Sequence, residues 1–185
     1  MNTAVYNSSG KFLDPEKVLF ETGLNKTQTV VDLGTGSGFY AIAASKIVGS
    51  QGKVYVVDIL DSVLAHVTSE ARLKGLRNIQ TLRCDLELPN ACNTIQDSVA
   101  DLVIFANVTH EISNKDAMFT EAYRMLKTGG KLLIVEWNAT PSPIGPQSED
   151  RISEQDVLDL TSAKNFKLIR HLETDRYHYG LLLFK

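Results

Sequence analysis

Residues Val30-Val31-Asp32-Leu33 run directly into Gly34-Thr35-Gly36-Ser37-Gly38 and then into Ala41-Ile42-Ala43-Ala44. The apolar run from Thr29 to Leu33 suits a strand buried on both faces, the alternating glycines allow a turn free of Cβ atoms, and the alanine-rich segment opens a helix. Such a strand-loop-helix unit belongs to a parallel sheet, and its loop offers bare backbone and a helix N-terminus to a ligand. Twenty residues beyond the last of these glycines, Val54-Tyr55-Val56-Val57-Asp58 ends a second apolar run in an acid. A carboxylate there accepts both hydroxyl hydrogens of a ribose. The two halves together indicate a nucleoside-bearing ligand.

Glycine spacing narrows the ligand. A dinucleotide fingerprint, Gly-x-Gly-x-x-Gly, would put its third glycine at position 39, which is Phe39. Asp32, two residues before the first glycine, repels a pyrophosphate and favours a ligand that carries an ammonium. With Asp32, Gly34, Gly36 and Gly38 in place, the loop resembles the acid-x-Gly-x-Gly-x-Gly motif of class I S-adenosylmethionine-dependent methyltransferases, whose cofactor bears an α-ammonium and a sulfonium. Two further segments, Phe105-Ala106-Asn107-Val108-Thr109-His110-Glu111-Ile112 and Tyr123-Arg124-Met125-Leu126-Lys127-Thr128-Gly129-Gly130, resemble small-molecule enzymes of the ubiquinone and menaquinone biosynthesis type. The motifs of nucleic-acid amino methylation and of metal-dependent catechol-type enzymes are absent.

The chain of 185 residues fits a single domain over 1–185 and is long enough to bury roughly 70% of its unfolded surface. With 43% hydrophobic and 22% charged residues it shows no sign of disorder. A net charge of −3, with 19 Lys and Arg scattered along the chain, argues against a nucleic-acid partner and for a small or neutral substrate. No apolar run approaches a membrane span and the start carries no leader pattern, so a soluble, cytoplasmic protein is expected. Cys84 and Cys92 form no CxxC pair and have no partnering His cluster, and they read as reduced thiols.

Along the chain, Asp14-Pro15 starts a helix running to Thr22-Gly23, part of an N-terminal cover over 1–27. Strands follow at Thr29–Leu33, Lys53–Asp58, Ile79–Cys84, Asp101–Ala106 and Lys131–Trp137, with helices in between. One of these helices is expected to be capped by Ser113-x-x-Asp116, to reach Lys127 and to stop at Gly129-Gly130. The segment 139–151 holds Pro141, Pro143, Gly145 and Pro146 without periodicity and reads as a long loop, a candidate lid closing with Ile144, Tyr6, Phe12 and Leu13. Ser153 caps a last helix, and Phe166–Leu172 with Tyr177–Phe184 make an antiparallel hairpin. The pattern is α/β. The resemblance implies a Rossmann-like three-layer sandwich with a seven-stranded, mostly parallel sheet of order 3-2-1-4-5-7-6, strand 7 antiparallel.

In such a sheet the ligand lies at the carboxyl ends of the strands, where the order reverses. The resemblance then assigns Asp58 to the ribose, Asp85 to the adenine amino group, and Ile59 and Leu86 to the adenine faces. The loop of Asp32, Gly34, Thr35, Gly36 and Gly38, with Asn107, holds the methionine portion. Asp85 also reads as an ordinary solvated acid at a strand end. His110 has two readings, a general base or a packing and hydrogen-bonding residue. His171, Asp175 and His178 look like a ligand cluster only superficially, and no metal is expected. Two functions outside methyl transfer share the same loop: an NAD-dependent oxidoreductase, and a non-enzymatic S-adenosylmethionine-binding protein.

Overall fold

The computed structural model describes residues 13–185. Tyr6 and Phe12 of the expected cover lie outside these residues. In chain order the elements are α1 (Pro15–Glu21), β1 (Thr29–Leu33), α2 (Phe39–Val48), β2 (Lys53–Asp58), α3 (Asp61–Leu73), β3 (Ile79–Arg83), β4 (Ala100–Ala106), α4 (Lys115–Met125), β5 (Leu126–Trp137), α5 (Glu154–Ala163), β6 (Lys167–Leu172) and β7 (His178–Phe184). The strands form one sheet in the order β3-β2-β1-β4-β5-β7-β6. Strands β1 to β5 pair in parallel, and β7 runs antiparallel to both β5 and β6. The expected topology is the one observed.

Alternation along the buried strands sorts the core into two layers. Val31, Leu33, Val103, Phe105, Leu132 and Ile134 point to one face, under Met118 and Phe119 of α4 and Val157 of α5. Val30, Val54, Val56, Leu102, Ile104, Leu133 and Val135 point to the other, under Leu19 of α1, Ala41 and Ala44 of α2 and Val67 of α3. Helix starts are set locally. The Asp14 carboxylate accepts the N–H groups of Glu16 and Lys17 ahead of Pro15, and Ser153 Oγ accepts that of Asp156.

Three expectations need correction. The cap of α4 is Asn114, whose side chain accepts from Ala117 N; Ser113 lies one residue before that cap. Gly129-Gly130 does not end a helix. The helix stops at Met125 because Leu126 is already extended and in register with Ala100, so β5 begins immediately and carries the two glycines within it. Cys84 and Cys92 are joined in a disulfide, with Cα atoms 5.4 Å apart across a separation of eight residues. The polar stretch after β3 folds back through consecutive turns, with Leu88 N donating to Asp85 O and Ile95 N to Cys92 O, and this return brings the sulfurs together. Among the described residues, no helix is long and apolar enough to cross a membrane.

Candidate active site

The sheet order reverses between β1 and β4, and the loops leaving the carboxyl ends of β1, β2, β3 and β4 converge there. The three glycines of the first loop serve different purposes. A Cβ on Gly34 would lie 2.3 Å from Val108 Cγ2, and one on Gly38 2.7 Å from Val67 Cγ2, so these two allow the loop to pack on its neighbours. A Cβ on Gly36 would meet nothing within 4 Å. Its backbone faces open space, the condition for close approach by a ligand. Gly36 N donates to Asp58 Oδ2 at 3.2 Å and Leu60 N to Asp58 Oδ1 at 3.0 Å, which fixes the carboxylate of β2 against the loop.

Asp32 is 1% exposed and accepts from Thr35 Oγ1 at 2.7 Å. Burial pushes its carboxyl up to about 6, against the lowering by the hydrogen bonds of Thr35 and Ala41, and the charge of Asp58 adds to the rise. Among the described residues it has no cationic partner. Tyr40 lies close by, its phenol pushed well up by burial and then by the charges of Asp32, Asp175 and Asp14. Its hydroxyl is buried without a partner among the described residues, as is Asn107 Oδ1. Asn107 lies three residues past Ile104, the register partner of Asp32, and has a φ of +56°. Its backbone N donates to Val135 O at 2.8 Å. Beyond β3, Asp85 Oδ1 accepts from Glu87 N at 3.0 Å. Ile59 is 48% exposed, whereas Leu86 packs its side chain into the core.

A second group of polar residues follows β4. His110 Nδ1 lies 2.9 Å from Glu136 Oε2, and Thr109 N donates to Glu136 Oε1 at 2.5 Å. Glu136 is fully buried, so His110 presents Nδ1–H to the carboxylate and keeps the Nε2 lone pair for another partner. Burial alone would lower the imidazole; the Glu136 hydrogen bond and charge, with Glu111 and Asp150, outweigh it and hold the group above its ordinary value. His110 borders a cleft of about 590 Å³ whose lining includes Lys115, Asp150, Arg151, Asp156 and Leu160. Arg151 spends its donors on the carbonyls of Asn138, Thr140 and Pro146, drawing the 139–151 loop together over Trp137. Gly145 rests directly on that indole, where a Cβ would come within 2.5 Å of the ring.

The family model described as a methyltransferase domain matches residues 24–178. The chain belongs to the methyltransferase-domain family. It is 31% identical to a SAM-dependent methyltransferase from Aquifex aeolicus of known crystal structure, with a TM-score of 0.84 and coverage of 93% of this chain and 89% of that one. Among curated relatives, the ubiquinone/menaquinone biosynthesis C-methyltransferase of Psychromonas ingrahamii is 34% identical over 119 residues, 63% of this chain and 45% of that protein. The counterpart from Shewanella pealeana is 30% identical over 159 residues, 85% of this chain and 59% of that protein. The chain thus spans about half the length of the curated relatives that it matches. No comparison favours the oxidoreductase alternative.

In this methyltransferase-family chain the predicted residues Asp32, Gly34, Thr35, Gly36, Gly38, Asp58 and Asn107 lie around one switch point. Ile59, Asp85 and Leu86 follow β2 and β3 on its flank. The donor set fits a ligand with an ammonium at one end and a ribose in the middle: a buried acid lacking a cation, two orphaned buried oxygens, and an acid held by the glycine loop. His110 lies on the β4 side, at the charged cleft. Sequence reasoning did not single out Glu136. Its one signal was a lone acid inside the apolar run from Leu132 to Trp137.

Proposed function

We propose that this chain transfers a methyl group from S-adenosylmethionine to a small-molecule acceptor, releasing S-adenosylhomocysteine. The observation that carries this reading is Asp32, a buried acid with no cationic partner among the described residues, set beside a glycine loop whose middle residue faces open space. The ammonium of the cofactor supplies the missing charge, and Asp58 takes the ribose hydroxyls. Asp85 and Ile59 hold the base, with Leu86 packed behind them. Asn107 and the loop hold the methionine portion.

Bound S-adenosylmethionine supplies a sulfonium-activated methyl, so the protein has mainly to align the acceptor and exclude water. The acceptor enters the cleft beside His110, and the 139–151 loop is its lid. The cleft sets Lys115, Asp150 and Arg151 beside apolar Ile152, Leu160 and Ala163, a lining that favours an acceptor with both a polar group and apolar surface. His110 Nε2 takes the proton from a hydroxyl or ammonium acceptor, while Glu136 fixes the tautomer and supports the imidazolium that forms. A thiol or carbanion-like acceptor needs only positioning. The His110–Glu136 pair beside the cleft supports an enzyme over a protein that merely holds the cofactor.

Thermal denaturation tests the reading. S-Adenosylhomocysteine at a hundred times its Kd should raise Tm by about 5–10 °C. Gly36→Val should abolish that rise while lowering the cofactor-free Tm by about 2–8 °C, the equivalent of about 1–2 kcal/mol of backbone strain. A variant that still binds, or a wild-type protein unaffected by the ligand, removes the proposal.

A further inference from the structure

The hairpin that closes the sheet carries a buried pair that the proposed reaction does not use. Asp175 Oδ1 accepts from Tyr177 N at 2.8 Å and lies 2.7 Å from His178 Nδ1, while its Oδ2 accepts from Leu13 N at 2.9 Å. The side chains of Asp175 and His178 are 1% and 4% exposed. A carboxylate already accepting two backbone N–H groups makes His178 Nδ1 a donor, and this leaves Nε2 as a lone pair. The Nε2 atom lies 3.3 Å from Asn107 Nδ2. The amide of Asn107 therefore directs its N–H at the imidazole and turns Oδ1 away, into a buried position where it has no partner among the described residues. Buried acceptors left without a donor are rare. The indole of Trp137, 4.1 Å from the His178 ring, holds the imidazole in this orientation.

We infer that Asp175 and His178 form a positioning pair that turns Asn107 Oδ1 toward the ammonium of the cofactor, so that the last strand contributes to recognition of its amino-acid end. This rests on the reading of Asn107 as a holder of the methionine portion. His178 touches no ligand and acts through Asn107.

Calorimetric titration with two ligands tests it: S-adenosylhomocysteine, and 5′-methylthioadenosine, which shares the nucleoside and thioether but lacks the amino acid. His178→Phe should weaken the first about tenfold and leave the second within about twofold, as expected for one charge-assisted hydrogen bond lost. His178→Gln, which restores an acceptor, should recover affinity to within about threefold. Unchanged binding of S-adenosylhomocysteine by His178→Phe, or an equal loss of both ligands, overturns the inference. Asn107→Gly tolerates the positive φ and separates the two levels of the argument. If it spares S-adenosylhomocysteine, the reading of Asn107 falls and the inference with it; if it loses that ligand while His178→Phe does not, the inference alone falls. Should His178→Phe not fold, Asp175→Asn loosens the same pair and should weaken S-adenosylhomocysteine selectively by about threefold. Unchanged binding there also overturns it.

Discussion

Asp32 illustrates how one buried side chain ties stability to pH. Its folded-state value of about 6 lies above the ordinary 3.8, so the folded protein holds this proton more tightly than the unfolded chain does. The effect on stability is negligible below about pH 4, builds into a cost as pH rises from there through 6, and levels off at about 3 kcal/mol near neutral pH. An ammonium ligand offsets that cost. Asp32→Asn should therefore raise the cofactor-free Tm at pH 8, hardly change it at pH 4, and lose S-adenosylhomocysteine binding. In the wild type, affinity for that ligand should fall about tenfold between pH 8 and pH 5 as the carboxyl takes up its proton. Thermal shift across pH measures both, and a Tm at pH 8 that is unchanged or lowered would count against the account. The position of Asp32 near the end of β1, just before the loop, was legible in the glycine spacing. The placement of Asp175 and His178 was not, because His178 meets Asn107 across 71 residues of sequence and no local pattern encodes that contact.

Strand β5 organises the side of the sheet that borders the cleft of His110. Glu136 near its end accepts from Thr109 N and pairs with His110, so the strand fixes the loop that leaves its neighbour β4. A general base must be deprotonated, and activity should rise with pH through the raised value of His110. Glu136→Gln removes the charge and leaves burial, the lowering influence, dominant. The acid limb of kcat/KM should then move to lower pH, and the plateau should fall about tenfold as the imidazole loses its orientation. A limb that stays in place would show that Glu136 does not tune the base. Most strands were legible to within a residue because their apolar runs are bounded by turn residues. The start of β5 was not. Gly129-Gly130 has the look of a stop, yet Gly129 N donates to Lys185 O and Gly130 O accepts from Lys185 N, pairings with the far end of the chain that keep the glycines in the sheet. The Cys84–Cys92 bridge was missed for a similar reason, since the return of the intervening loop depends on turns without a periodic signature.

For the molecule as a whole, the packed core beneath α4 and the glycine loop of the proposed site lie in different regions. Phe105 and Phe119 meet edge to face at 5.2 Å, both fully buried under α4, while the glycine loop lies at the rim of the sheet. Phe119→Ala should cost about 3–5 kcal/mol, read as a lower urea midpoint with an unchanged slope. Its affinity for S-adenosylhomocysteine at 20 °C should stay within about twofold; a larger change would mean that the core beneath α4 supports the ligand loops directly. The reversed direction of β7 has a practical side. This strand starts beside Asn107 with His178 and leads to Lys185, which bonds to Gly129 and Gly130 at the opposite rim, about 20 Å away. A fluorophore or surface tether attached at Thr128, exposed on that opposite rim, would stand clear of the glycine loop and of the cofactor site proposed beside it, so an immobilised protein would keep that side open.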